Sequence, residues 1–137
     1  MYFKMAILFF FSFLVASSGG VYAGAGSKEH GHKTPHGGIV KEAEGMHVEF
    51  LIDKGGQPKL YLYDKAMKPL DRTDLEAKLT IKGHNGKQHN VGLKTSKDPK
   101  EGVVLKGEPI KGLSDWDTAV VSLKIRDSWI HLRFSHH

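Results

Sequence analysis

The stretch Leu75-Glu76-Ala77-Lys78-Leu79-Thr80-Ile81-Lys82 decides the fold class. Its apolar residues occupy every second position, and the positions between them are charged or polar. Because successive side chains of a β-strand point to opposite faces, this alternation predicts a strand with one buried face and one solvated face. A sheet built from such strands is typically antiparallel.

Similar runs follow along the chain on either side of this stretch. The same alternation recurs in Met46–Ile52, Val121–Arg126 and Ile130–Phe134. Shorter runs typical of strands are Gly38–Lys41, Lys59–Tyr63, His89–Leu93 and Val103–Leu105. Turn-forming Gly, Asn, Asp and Pro residues separate these runs. We therefore predict an all-β domain, an immunoglobulin-like β-sandwich of seven or eight short antiparallel strands, over residues 39–137. The one helical signal, Ser114–Thr118, predicts only a short turn.

The first 23 residues have the composition of a secretory signal peptide. Lys4 precedes the apolar run Met5–Ala16, and small residues follow it, with Val21 and Ala23 placed as in a cleavage site. Twelve apolar residues span only about 18 Å as a helix, against roughly 30 Å for a bilayer core. We expect cleavage after Ala23, export to the periplasm and no membrane insertion afterwards. An uncleaved anchor is the alternative.

Composition excludes several classes of protein. The chain has no cysteine, which excludes a disulfide scaffold, a thiolate zinc site and an iron–sulfur cluster. It contains no nucleophile elbow and no glycine-rich phosphate loop opening a helix, so we expect no enzyme. Its net charge of +5 is spread along the chain without basic runs interleaved with aromatics. We therefore expect no nucleic-acid partner.

Histidine is the unusual residue here, with nine copies in 137 residues. Residues 24–38 contain no aliphatic side chain larger than alanine before the first strand, which predicts a flexible tail. His30, His32 and His36 lie in this tail. Imidazole is a common ligand of zinc, copper and nickel, so the cluster indicates a transition-metal site. The alternative is a solvated polar tail that binds no metal.

The site of cleavage bears on which metal is favoured. A cut after Ser27, the alternative to Ala23, would expose Lys28-Glu29-His30 as a new N-terminus. Its amine, two amides and imidazole offer the square-planar nitrogen set that Cu(II) or Ni(II) prefers. Otherwise the sequence leaves the choice between copper and zinc open.

Three further residues are candidate metal ligands. His47 and Glu49 stand at i and i+2 on one predicted strand, so both lie on its outer face about 7 Å apart. His131 occupies an outward position on the last strand. If the first and last strands are neighbours, the three side chains share one patch. The alternative is a solvated strand face that carries polar residues.

Three motifs follow one another in the first half of the mature chain: Pro35–Val40, Met46–Phe50 and Lys59–Asp64. This succession resembles small periplasmic proteins associated with bacterial heavy-metal efflux, and the N-terminal β-domain of cobalt–zinc–cadmium efflux membrane-fusion subunits. The resemblance implies a β-sandwich that handles metal outside the cytoplasm, with His36, His47 and Glu49 as its motif positions. The chain lacks the helical hairpin and lipoyl-like segment of a complete fusion subunit, which favours a stand-alone accessory domain.

Two functions therefore remain open. The first is a periplasmic metal-binding accessory protein that buffers or delivers a copper, zinc or similar ion in connection with heavy-metal efflux. The second is a non-catalytic module that docks on an envelope or efflux complex, with incidental histidines.

Overall fold

The computed structural model describes residues 34–113 and 115–136. This part of the chain forms eight strands and no helix, so it also offers no helix long and apolar enough to cross a membrane. The strands are β1 (Ile39–Ala43), β2 (Met46–Ile52), β3 (Pro58–Tyr63), β4 (Leu75–Gly83), β5 (Gln88–Asp98), β6 (Gly102–Lys106), β7 (Trp116–Ile125) and β8 (Ser128–Ser135). The predicted all-β fold with antiparallel strands is confirmed. Residues Trp116–Thr118 begin β7, where we expected part of a short turn.

The eight strands belong to one sheet in the order β1-β2-β3-β6-β5-β4-β7-β8. Strand β5 belongs to both halves of the sheet, because its first part pairs with β4 and its second part with β6. The two ends of the sheet also approach each other, with the Lys41 ammonium of β1 lying 5.5 Å from the ring centre of Phe134 on β8. The sheet is thus nearly closed and barrel-like.

The main core fills the inside of this sheet. The four apolar side chains of the Leu75–Ile81 alternation are all buried in it, as predicted. Phe50 of β2 lies at the centre of an aromatic cluster, with its ring centre 5.2 Å from that of Phe134 and 5.4 Å from that of Trp116. These contacts join the two halves of the sheet across the core.

A second, smaller apolar layer lies on the outer side of β2, β3 and β6. Tyr61, Tyr63 and Val104 are buried there, and Leu51 and Met67 pack against them. Met67 belongs to the connection after β3, and it has a positive φ of 60° in a turn closed by its own N–H and the Asp64 carbonyl. This half of the sheet is therefore covered on both sides.

We expect Phe134→Ala to lower the free energy of unfolding by about 3–5 kcal/mol, because it removes a fully buried ring from the junction of the two halves. The neighbouring substitution Arg133→Ala is the matched control, since Arg133 is exposed on the same strand. It should change stability by no more than about 0.5 kcal/mol. Urea unfolding followed by circular dichroism measures both variants. Equal effects would contradict the inward placement of Phe134.

Candidate functional site

A buried carboxylate organises the outer side of β2. Glu49 lies in the middle of this strand with 0% of its surface exposed. Its Oε2 accepts hydrogen bonds from the backbone N–H groups of His36 (3.1 Å) and Gly38 (2.9 Å). Its Oε1 accepts one from the Tyr63 hydroxyl at 3.0 Å. Because a carboxylate removed from water needs donors on its lone pairs, these bonds tie the chain before β1 to the sheet.

The His36 ring lies between two carboxylates. Its Nδ1 is 2.9 Å from Glu49 Oε1, and its Nε2 is 3.0 Å from Glu101 Oε2. The flat side of the ring stacks on Tyr61, with ring centres 3.7 Å apart and planes 5° from parallel. Thus both ring nitrogens and one ring face are held by the folded domain. We name His36, Glu49, Tyr61, Tyr63 and Glu101 the His36 cluster.

The cluster favours the charged form of the imidazole. Burial acts to lower the pKa of His36, but hydrogen bonds to Glu49 and Glu101 outweigh it and raise this pKa above the ordinary 6.5. In that form each ring nitrogen donates to one carboxylate. Burial, and then the nearby charge of Glu49, raise the pKa of Tyr63 well above its ordinary 10.0. The Tyr63 hydroxyl therefore keeps its proton and remains a donor to Glu49.

Two glycines let the segment before β1 reach Glu49. Gly37 has a φ of +74°, which glycine adopts at no steric cost, and its N–H closes a turn on the Thr34 carbonyl at 3.0 Å. A Cβ at Gly38 would lie 2.5 Å from the Phe50 carbonyl oxygen and 2.9 Å from Glu49 Cγ. His36 and Gly38 therefore pack directly against β2. We predicted a flexible tail as far as residue 38, whereas the structure places residues 36–38 in contact with the sheet.

His47 lies on the same side of β2 as Glu49, but at a different place. It is 4% exposed, which disagrees with the alternative of a solvated strand face, and its Nε2 is 3.5 Å from Glu42 Oε1. Its register partners are Glu42 on β1 and Tyr63 on β3. The carboxylate paired with His47 is thus that of Glu42, whereas Glu49 bonds to His36, Gly38 and Tyr63.

The other predicted residues are not gathered at this point. His131 is exposed on β8, and its Nδ1 is 2.8 Å from the Ser122 hydroxyl on β7. The two ends of the sheet, β1 and β8, approach each other, but His47 and Glu49 lie on β2, and His131 bonds within the other half of the sheet. His30 and His32 lie outside the described residues. Within residues 34–113 and 115–136, no group of three or more His, Asp or Glu side chains is arranged to hold a metal ion.

The geometry of His36 explains why this cluster is not a complete metal site. Glu49 and Glu101 occupy opposite nitrogens of one ring, so both carboxylates cannot reach a single ion beside it. The outer pair, His36 Nε2 and Glu101, supplies two ligand atoms at the surface. Glu101 was not among our predicted site residues, because it lies in the turn between β5 and β6 and nothing in its sequence context links it to His36.

The chain matches no protein-family model, no curated protein and no solved structure.

We expect Gly38→Ala to lower the free energy of unfolding by about 1–3 kcal/mol, because the new methyl group overlaps the Phe50 carbonyl and Glu49. Gly92→Ala on β5 is the control, since a Cβ there meets nothing within 4 Å. It should stay within about 1 kcal/mol of the unchanged protein. Chemical unfolding measures both variants. A Gly38→Ala protein as stable as Gly92→Ala would contradict the close packing of residues 36–38.

The raised pKa of His36 makes a prediction about pH. A group whose pKa is higher in the folded state adds stability below its unfolded pKa and loses that contribution as pH rises through the folded pKa. In metal-free buffer, the unchanged protein should therefore lose more stability than His36→Gln between about pH 6 and about pH 9. Both proteins contain His84, whose pKa Asp117 also raises, so subtracting one stability curve from the other removes the contribution of His84. If the free energy of unfolding changed with pH in the same way in both proteins, the ionic hydrogen bonds of His36 would be contradicted.

Proposed function

We propose that this protein is an exported, periplasmic metal-binding accessory protein that buffers or delivers a transition-metal ion. The observation that carries the proposal is the orientation of His36 by the buried Glu49. A histidine that ligates a metal nearly always gives its other ring nitrogen to a carboxylate or carbonyl, which fixes the tautomer and strengthens the ligand. Glu49 meets Nδ1 of His36 at 2.9 Å from a fully buried position.

This arrangement leaves Nε2 as the ligand atom. When the imidazole gives up its proton, a proton kept on Nδ1 by Glu49 directs the lone pair of Nε2 outward, toward Glu101. Metal–nitrogen and metal–oxygen bonds of roughly 2.0–2.2 Å at tetrahedral angles put two ligand atoms about 3.3 Å apart. His36 Nε2 and Glu101 Oε2 are 3.0 Å apart. A small outward movement of the partly exposed Glu101 side chain therefore makes room for an ion.

The remaining ligands in this proposal are His30 and His32. They precede His36 by only a few residues, and an extended chain spans at most about 3.3–3.6 Å per residue, so either imidazole can return to the ion. A set of three imidazoles and a carboxylate suits zinc or copper. His47 and His131 stay outside this set, because one pairs with Glu42 and the other bonds to Ser122.

The setting of this site is part of the proposal. The signal-peptide pattern of residues 1–23 supports export, and the succession of motifs that resembles heavy-metal efflux proteins supports a connection with efflux.

The finer fold we propose is a β-sandwich, in which β1, β2, β3 and β6 face β4, β7 and β8 across the core, with β5 shared. No described residue set suggests catalysis, and we propose no enzymatic activity.

The experiment is isothermal titration of the chelator-treated protein with Zn²⁺ and with Cu²⁺. We expect one site near or below micromolar affinity. His36→Gln and Glu101→Gln should each weaken it at least about tenfold, as should removal of residues 24–33, and Glu49→Gln by about 10–100-fold. The matched control is His84→Gln, because His84 likewise lies 3.0 Å from a carboxylate, that of Asp117, but it is exposed and has no buried partner.

Each outcome decides between the two functions. Unchanged affinity in His36→Gln and Glu101→Gln would overturn the proposed site, and an absence of binding would favour the docking module. A thermal melt of each variant without metal separates lost ligands from lost folding. The chelator-treated protein itself should keep a cooperative β-type melt, because His36 and Glu101 lie outside the apolar core described above.

A further inference from the structure

The outward side of β4, β7 and β8, which we name the β8 face, is unlike the rest of the surface. Strand pairing puts Lys78 level with Ser122 and His131, and Glu76 level with Lys124 and Trp129. Further along, Lys82 and Arg133 also point outward. Unlike the outer side of β2 and β3, this face has no second apolar layer among the described residues.

Trp129 is the outstanding side chain of this face. It is 39% exposed, and it is the one large hydrophobic residue in the described part of the chain that is exposed. Two ammonium groups lie beside its ring, Lys78 Nζ at 5.2 Å and Lys124 Nζ at 5.8 Å from the ring centre. The lysines are on β4 and β7 and the indole is on β8, so the three side chains meet across three neighbouring strands.

The charge of the β8 face is predominantly positive. Its cationic side chains are those of Lys78, Lys82, Lys124 and Arg133. Between the register positions of Leu75 and Lys82, the one carboxylate that points outward on this face is that of Glu76. Glu76 lies 3.5 Å from Lys124 and offsets one of these charges. The face therefore offers a broad positive surface around a single amphipathic ring.

We infer that the β8 face adsorbs to an anionic phospholipid surface, with Trp129 at the headgroup level and the surrounding cations against the lipid phosphates. An indole has an apolar body and one N–H donor, and it prefers the water–lipid interface. Each Lys or Arg held near an anionic bilayer strengthens adsorption about fivefold. Because the cations lie on three neighbouring strands around Trp129, several of them can meet a planar surface at once. This adsorption needs no insertion of the chain into the membrane.

The topology gives this adsorption an orientation. The His36 cluster lies on the outer side of β2, β3 and β6, whereas the β8 face belongs to β4, β7 and β8. The two surfaces are on opposite halves of the nearly closed sheet. A protein adsorbed through the β8 face therefore presents the His36 cluster to solvent. The inference does not depend on metal binding at that cluster.

The test is co-sedimentation of protein purified from the periplasm with vesicles of phosphatidylglycerol and phosphatidylcholine, or of phosphatidylcholine alone, at low salt. We expect binding to the anionic vesicles only, and its loss at high salt. Trp129→Ala should weaken binding at least about fivefold, and Lys78→Gln with Arg133→Gln about 25-fold. The control is Lys54→Gln with Lys111→Gln, which removes the same charge from exposed positions outside the β8 face and should keep nearly full binding.

Tryptophan fluorescence adds a readout specific to the site. The chain has two tryptophans, and Trp116 is 8% exposed, so a blue shift on adding vesicles reports Trp129. Trp129→Phe should abolish this shift and keep most of the binding. The inference is overturned by an absence of sedimentation with anionic vesicles, by equal binding to both lipid mixtures, or by equal losses in the control and in the Lys78 and Arg133 double variant.

Discussion

Burial of the Glu49 carboxylate is the constraint on which the described N-terminal half depends. An ionisable group without exposure is tolerated only if its oxygens accept hydrogen bonds, and β2 itself cannot provide them from its own side chains. The donors come from two other places, the Tyr63 hydroxyl on β3 and the backbone before β1. Glu49 therefore specifies both the pairing of β2 with β3 and the path by which the chain enters the sheet.

The same constraint determines the chemistry of His36. Once Glu49 holds Nδ1 and Tyr61 holds the ring face, the imidazole has one remaining nitrogen, and its direction is fixed toward Glu101. A flexible tail histidine would spend rotamer entropy to bind an ion, whereas this ring is already ordered. This order also favours a proton on the ring, because the two carboxylates that orient the imidazole raise the pKa of His36. Metal would thus compete with a proton for Nε2.

Much of the fold could be predicted because alternation along a strand reports directly which side chains face a core. The Leu75–Ile81 alternation was enough to predict β4, and comparable runs predicted its neighbours. Alternation does not report whether the opposite face is covered. The outward position of Glu49 was therefore correct relative to the main core, yet its burial under His36 depends on residues 36–38, which the absence of large aliphatic side chains led us to treat as tail. Glu101 could not be found at all, since its proximity to His36 arises from the pairing of β3 with β6.

The two outer sides of the sheet differ in whether a second layer of side chains covers their polar groups. The half formed by β2, β3 and β6 carries a second layer of tyrosines and apolar side chains, so its polar groups are ordered and partly desolvated. The half formed by β4, β7 and β8 has no such layer among the described residues, and its polar groups remain hydrated. Ordered, desolvated groups suit selective binding of a small ion, because little reorganisation is needed. Hydrated cations suit a surface of many similar charges, where no single geometry is required. In our two proposals, one sheet thus separates two kinds of recognition by whether a second layer covers its outer side.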